Sequence, residues 1–200
     1  MTTCIALLRG INVGTAKRVA MADLRTLFEE LGHDQVRTLL NSGNVVFEAA
    51  RPNAGRIGAS IDQALRAKHG FSAVVIVLTA AELNAVIRAN PLLELATDPA
   101  KHLVAFVARP AVLAEARALL ARSWQPDAIA IGRKAAYLWC AKGLIKSELM
   151  KAFSRLTRDG ATTRNWATVL KLQAMLLTRR CQQPEIILGR VRSRTSSLGE

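Results

Sequence analysis

The first 78 residues constrain the fold most strongly, because their hydrophobic pattern alternates between short strands and longer amphipathic helices. Apolar runs predict strands, and apolar residues at helical spacing predict helices. The predicted order is strand, helix, strand, strand, helix, strand, with strands at 3–8, 36–40, 45–48 and 72–78 and helices at 21–31 and 51–68. This order is typical of the ferredoxin-like α+β plait.

A looser version of the same succession follows. Thr79 and Glu82 have the spacing of a capping box, which predicts a helix over 80–89 that ends before Pro91. Further strands are predicted at 102–108, 128–131 and 135–140, and helices at 110–121 and 147–156; a C-terminal helix capped by Thr163 is predicted from about 164 to 179. We therefore expect two related plait halves, at 1–90 and 91–188, and an unpacked basic tail at 189–200.

The positive charge is concentrated in the second half of the chain. The chain has a formal net charge of +13, yet residues 1–100 hold 10 Lys/Arg and 9 Asp/Glu, whereas residues 101–200 hold 18 and 6. A basic half favours a polyanionic partner such as nucleic acid. The alternative is a basic surface that is simply solvated.

Several classes of protein are not indicated. The three cysteines and three histidines show no metal-ligand spacing, and no motif for a cofactor is found. No apolar stretch approaches the length that spans a membrane, and the N-terminus does not resemble a signal peptide. We expect a cytoplasmic protein with no metal, no cofactor and no membrane partner, and the sequence does not indicate its oligomeric state.

Polar residues gather at two turns that a plait brings to the same end of its sheet. One turn follows the first strand between Gly10 and Gly14, and the other precedes the adjacent third strand. Their polar side chains are those of Arg9, Asn12, Asn41, Ser42 and Asn44. A guanidinium beside amides and a hydroxyl suits an anion or the edge of a base. Alternatively, the two turns bond each other and only hold the hairpin.

A second candidate surface is the segment 161–166 and the helix predicted after it. If Thr163 caps that helix, the free N–H groups of its first turn form a seat for phosphate. Arg164, Asn165 and Lys171 would lie beside this seat. Basic residues also recur on one face of the preceding helix, at Lys151, Arg155 and Arg158. Such a basic stripe is often only a solvated face.

Three motifs carry a family resemblance. They are LLRGINVG at 7–14, SGNVVF at 42–47 and ATTRNW at 161–166. Together they resemble the bacterial domain of unknown function family 1697, over roughly residues 3–178. The resemblance implies an α+β fold of two plait-like halves and no established activity. The positions that the family marks fall on Arg9, Gly10, Asn12, Gly14, Ser42, Gly43, Asn44, Thr163, Arg164, Asn165 and Trp166. We expect the first and last motifs to meet across the two halves.

The leading hypothesis is a binding protein for a phosphate-bearing ligand, either nucleic acid or a nucleotide. Its ligand-binding residues would be Arg9, Asn12, Ser42, Asn44, Thr163, Arg164, Asn165 and Lys171. A second hypothesis is an enzyme acting on a small anionic substrate between the halves, although the sequence offers no evident general base. A third is a structural or oligomerising module. Plait folds serve all three classes.

Overall fold

The predicted element order of the first half is present in the structure, a computed structural model that describes residues 1–14 and 17–177. Its elements are β1 (Thr2–Leu8), α1 (Met21–Glu30), β2 (Asp34–Leu39), β3 (Asn44–Ala49), α2 (Ala54–His69), β4 (Val75–Thr79) and α3 (Ala80–Arg88). The four strands form an antiparallel sheet in the order β2-β3-β1-β4. The capping box of Thr79 and Glu82 is also present at the start of α3.

The second half repeats this arrangement. Its elements are β5 (His102–Val107), α4 (Pro110–Ala116) with a 3₁₀ turn (Arg117–Ala121), β6 (Ala128–Ile131), β7 (Ala135–Trp139), α5 (Glu148–Thr157), β8 (Ala161–Asn165) and α6 (Trp166–Leu177). The sheet order β6-β7-β5-β8 is equivalent to that of the first sheet. The prediction of two similar α+β plaits followed by a C-terminal helix is therefore confirmed.

The start of the last helix differs from the prediction. Thr163 does not cap a helix; it lies in β8, which pairs with β5, and α6 begins only at Trp166. The Oδ1 of Asn165 caps that helix, accepting from Thr168 N at 2.9 Å and from Thr168 Oγ1 at 2.6 Å. The segment forms a strand because pairing with β5 gives its buried backbone N–H and C=O groups hydrogen-bond partners. The predicted helix end near Arg179 and the tail at 189–200 lie outside the described residues.

The two sheets share one core and are covered by helices on their outer faces. Successive residues of β1 point to opposite faces, so that Ile5 and Leu7 face the second half. There they pack in one cluster with Val104 and Phe106 of β5, together with residues of α3 and α6. Helices α1 and α2 cover the other face of the first sheet, and α4 and α5 cover that of the second. The C-terminal end of β1 lies beside β8, where Leu8 O accepts from Nη2 of Arg164 at 2.8 Å.

Neither a membrane-spanning helix nor a metal-binding cluster is found among residues 1–14 and 17–177. No helix in this part of the chain has the length and apolarity needed to cross a bilayer. No group of three or more His, Cys, Asp or Glu side chains is placed to hold a metal ion there. Cys4 and Cys140 are buried free thiols, and burial raises the pKa of both. Neither cysteine has the environment of a nucleophile.

Candidate functional site

Arg9 lies where β1 leaves its sheet and reaches across to the second half. Its backbone N–H donates to Val74 O at 2.9 Å, and Gly10 follows with a φ of +72°. The Nη1 of Arg9 donates to Ala161 O, at the beginning of β8. Its Nη2 lies 3.7 Å from Oδ1 of Asp159, a side chain that is 86 % exposed. Most of its five N–H groups therefore have no acceptor among the residues that the structure describes.

Asn44 is buried at the start of β3 and connects the hairpin turn to the second half. Its Nδ2 donates to Leu39 O at 2.9 Å and to Ser42 Oγ at 3.0 Å. Its Oδ1 accepts from Nε of Arg164 at 2.5 Å. The amide thus stabilises the turn with its donor and binds the second half with its acceptor.

Gly43 closes the same turn against the opening loop. It has a φ of +73°, and a Cβ at this position would lie 2.8 Å from Leu8 Cβ and from Ile11 Cδ1. Since real Cβ atoms do not approach so closely, the backbone reaches this position only as glycine. The carbonyl groups of Ser42 and Gly43 are then presented to the second half.

Arg164 occupies the space between the halves and is only 8 % exposed. Every nitrogen of its guanidinium donates to a protein oxygen. The acceptors are Asn44 Oδ1 for Nε, Thr162 Oγ1 and Thr163 O for Nη1, and Leu8 O, Ser42 O and Gly43 O for Nη2. None of these acceptors is a carboxylate, and burial lowers the pKa of Arg164 to about 10. The side chain remains charged at neutral pH, solvated by carbonyl, amide and hydroxyl oxygens.

The first and last motifs therefore meet, as the sequence led us to expect. The contact is intimate, since Nη2 of Arg164 donates to Leu8 O at 2.8 Å. Its consequence for a ligand differs from the original expectation, however. Arg164 has no guanidinium N–H left for a phosphate, because the hairpin turn and β8 already use all of them.

Arg9 and Arg164 border a cavity of about 270 Å³ at the outer edge of β8, which we call the β8 pocket. Its lining consists of Arg9, Gly10, Met150, Phe153, Ser154, Thr157, Ala161, Thr162, Thr163 and Arg164. This set contains two arginines and four hydroxyl groups but no carboxylate, imidazole or thiol. One acidic side chain, that of Asp159, lies 3.7 Å from Arg9 but is not part of the lining. The pocket is consequently a cationic and hydrogen-bonding environment.

The other predicted site residues lie elsewhere. Asn12 closes its own loop: its amide exchanges hydrogen bonds of 2.9 Å with the backbone of Val19 and donates to Asn41 O at 3.0 Å. It borders a separate cavity of about 490 Å³, which shares no lining residue with the β8 pocket. Asn165 is the cap of α6, and Lys171 is exposed on that helix. Ser42 and Asn44 accept hydrogen bonds from Arg164 and are not part of the pocket lining.

Three hydroxyl residues of the pocket were not among the predicted site residues. Ser154 and Thr157 belong to α5, and Thr162 belongs to β8. Ser154 and Thr157 are three positions apart, so they share a helix face, but the same spacing is common on solvated helices. Thr162 could have been found from the alternation of β8, which places it on the same face as Arg164 once the segment is recognised as a strand.

Comparisons with known proteins give a family and a fold. The family described as protein of unknown function (DUF1697) matches residues 1–137, which include the first two motifs and end before the third. The fold is similar to that of the conserved bacterial protein SP0830 from Streptococcus pneumoniae, with a TM-score of 0.72 at 22 % sequence identity over 88 % of this chain and 98 % of that one. At this identity the likeness supports the fold alone. None of the curated proteins matches this chain.

Proposed function

We propose that this chain, which belongs to the DUF1697 family of proteins of unknown function, is a binding protein for a phosphate-bearing ligand, either a nucleotide or nucleic acid. The ligand's phosphate occupies the β8 pocket. The observation that carries the proposal is the lining of that pocket, which joins Arg9 to the positive charge of Arg164 and to hydroxyl groups without any carboxylate.

The two arginines contribute in different ways. Arg9 binds the phosphate directly, because its side chain is 35 % exposed and most of its donors are free of protein acceptors in the described part of the chain. Charge-assisted hydrogen bonds of a guanidinium to phosphate are among the strongest that proteins make. Arg164 contributes a fixed positive charge from the pocket wall without a direct hydrogen bond.

The edge of β8 adds neutral donors to the pocket. The N–H of Ala108 donates to Gly160 O at 2.9 Å, and this bond sets the alternation of the ladder between β5 and β8. The N–H of Thr163 is then directed away from β5 and toward the free edge. The hydroxyl of Thr162 accepts from Arg164, which leaves its own proton available to a ligand oxygen. A phosphate with several oxygens matches this set of donors.

Two other functions receive less support. A catalytic role is disfavoured because the pocket lining offers no general base. A purely structural role accounts for Arg164, Asn44 and Gly43, which fasten the two halves together. It does not account for Arg9, whose donors are mostly unused.

The proposal is tested by calorimetric titration of pyrophosphate and of a 5′-nucleoside monophosphate into the purified protein at low and moderate salt. We expect binding that weakens with salt and that Arg9→Ala reduces at least about tenfold, since a hydrogen bond to a charged group contributes about 1.5–3 kcal/mol. The matched control is Arg25→Ala, which removes an exposed arginine of α1. Absence of binding, or equal losses in the two variants, would contradict the proposal.

A further inference from the structure

A row of cations runs along α5 beside the β8 pocket. Lys151 and Arg155 are exposed and one helical turn apart, and Arg158 follows at the end of the same helix. We call these three residues the α5 ridge. Each of Lys151 and Arg155 directly follows a residue that lines the pocket, Met150 or Ser154. The ridge therefore borders the pocket along the length of α5.

The charge around the ridge is only partly neutralised. Nζ of Lys151 lies 2.7 Å from Oε1 of Glu148. The pKa of that carboxyl group is held below its ordinary value by the hydrogen bond from Lys151 first, with further attraction from Arg155 and Arg122. One carboxylate thus lies within the field of three cations, and residues 141–160 contain five Lys/Arg against two Asp/Glu.

The corresponding helices of the first half also carry basic side chains, and half of these are paired with carboxylates. Helices α1 and α2 carry four basic and four acidic side chains, and two of the basic ones are paired, Lys68 with Glu30 and Arg66 with Asp62. The α5 ridge is therefore distinguished by its place beside the β8 pocket rather than by its number of charges.

We propose that the partner of the β8 pocket is a single strand of nucleic acid, which places one phosphate at Arg9 while the neighbouring phosphates of the same strand lie along the α5 ridge. This inference rests on the proposed function, because it uses the pocket as the anchoring point. Cations at one-turn spacing match a polymer that carries one negative charge per unit, and guanidinium groups are well suited to phosphate oxygens.

Binding of this kind follows the backbone rather than the bases. The described core cluster that α5 covers contains two aromatic side chains, Phe153 and Trp124, and neither has an open face. Phe153 is buried. Trp124 is already occupied, because the guanidinium of Arg122 lies 4.6 Å from its ring centroid and its Nε1 donates to Leu119 O at 2.7 Å. A stacking platform for bases needs an open aromatic face. The contacts available are therefore electrostatic, and they predict little dependence on base sequence and a strong dependence on salt.

The test measures binding of a fluorescent single-stranded oligothymidylate by anisotropy over a series of salt concentrations. Each lost phosphate contact lowers the slope of log K against log salt by about 0.7 for a single strand. Lys151→Ala/Arg155→Ala should therefore lower the slope by about 1.4 and weaken binding about tenfold at low salt. The control Arg25→Ala/Arg56→Ala removes equal charge from exposed sites on α1 and α2 and should change the slope much less.

A variant that binds the oligonucleotide more tightly distinguishes an effect of charge from an effect of unfolding, because unfolding can only weaken binding. Glu148→Gln removes the carboxylate that pairs with Lys151, and we expect it to strengthen oligothymidylate binding several-fold. Affinity for pyrophosphate should stay close to that of the wild type in the ridge variants, because pyrophosphate occupies only the pocket.

The outcomes distinguish the two proposals. If pyrophosphate binds through Arg9 but the oligonucleotide shows no dependence on the α5 ridge, this inference is overturned and the proposed function stands. If the ridge variants weaken oligonucleotide binding and Arg9→Ala does not, the pocket is not a phosphate site. The proposed function is then overturned, and so is the inference that one strand contacts both Arg9 and the α5 ridge. Binding to anionic phospholipid vesicles without binding to the oligonucleotide would also overturn the inference.

Discussion

The inner wall of the β8 pocket, around Arg164, and its mouth, around Arg9, each hold one guanidinium group. At the wall the side chain of Arg164 is 8 % exposed. Each of its three guanidinium nitrogens donates to a protein oxygen, and these oxygens come from both halves. At the mouth the side chain is 35 % exposed, and among the described residues it has one hydrogen-bond acceptor, Ala161 O, and an ion pair with the exposed Asp159. The comparison teaches that the supply of acceptors, rather than the residue type, decides whether an arginine fastens a fold or remains available to a ligand.

The largest effect is expected when the wall loses its arginine. Arg164→Met should lower the free energy of unfolding by about 3–5 kcal/mol, because it leaves two buried oxygen atoms, Leu8 O and Asn44 Oδ1, without a donor. Arg9→Ala should change the same quantity by less than about 1 kcal/mol. Urea unfolding of both variants checks the comparison, and an Arg164→Met protein as stable as the wild type would break it.

Two glycines provide the next contrast. Gly43 contacts Arg164 through its carbonyl oxygen, and Gly10 follows Arg9 in the sequence. Gly43→Ala forces a Cβ to within 2.8 Å of Leu8 and Ile11 and should cost about 3 kcal/mol. Gly10→Ala meets nothing within 4 Å and bears only the strain of its positive φ, about 1 kcal/mol. The difference between the two unfolding free energies is the measurement. Equal losses would mean that the wall is no more tightly packed than the mouth.

The third effect is a dependence of the free energy of unfolding on pH, and it comes from His102, which lies outside the wall of the β8 pocket. Burial lowers the pKa of His102, whose ring stacks on Trp166 with 5.1 Å between centroids. The unfolded chain then binds this proton more readily than the folded protein, so stability is full above the ordinary histidine pKa and falls as the pH decreases below it. Arg164 stays charged throughout this range, since its pKa is about 10.

The measurement is the free energy of unfolding at pH 7.5 and at pH 5 for the wild type and His102→Gln. Each unit of pKa difference corresponds to about 1.4 kcal/mol. The variant should lose less stability on acidification, with a remainder from His33, whose pKa burial also lowers. The same loss in both proteins would place the pH dependence elsewhere.

The smallest effect concerns affinity at the mouth. Asp159→Asn removes the carboxylate that lies 3.7 Å from Nη2 of Arg9 and competes with an incoming anion. We expect pyrophosphate to bind several-fold more tightly, as measured by calorimetry. Glu94→Gln, which removes an exposed carboxylate in the connection between α3 and β5, serves as the control. Unchanged affinity in Asp159→Asn would argue that Arg9 does not face the bound anion.

Most of the fold could be predicted from the sequence, because its strands and helices carry regular apolar patterns. The exception was β8, in which Thr162, Thr163, Arg164 and Asn165 offer no apolar alternation, since the inward-facing Arg164 contacts carbonyl groups instead of a hydrophobic core. A strand of this kind is recognised only when its neighbour β5 is known.

The meeting of the motifs was also predictable, whereas the division of roles within the site was not. Arg9 and Arg164 look alike in sequence, and the burial of Arg164 depends on acceptors more than 100 positions away along the chain. Ser154 and Thr157 could not be predicted as site residues, because their helix face becomes part of a pocket only through the positions of β8 and Arg9.

The most direct test of the account is the stabilisation that pyrophosphate gives to the wild type and to Arg9→Ala in urea unfolding. A ligand that binds only the folded state adds about 2.7 kcal/mol at one hundred times its Kd. We predict this gain for the wild type, and for Arg9→Ala we predict a similar stability without ligand but little gain with it. An equal gain in both proteins, or none in the wild type, would contradict the assignment of Arg9 as the anion-binding residue.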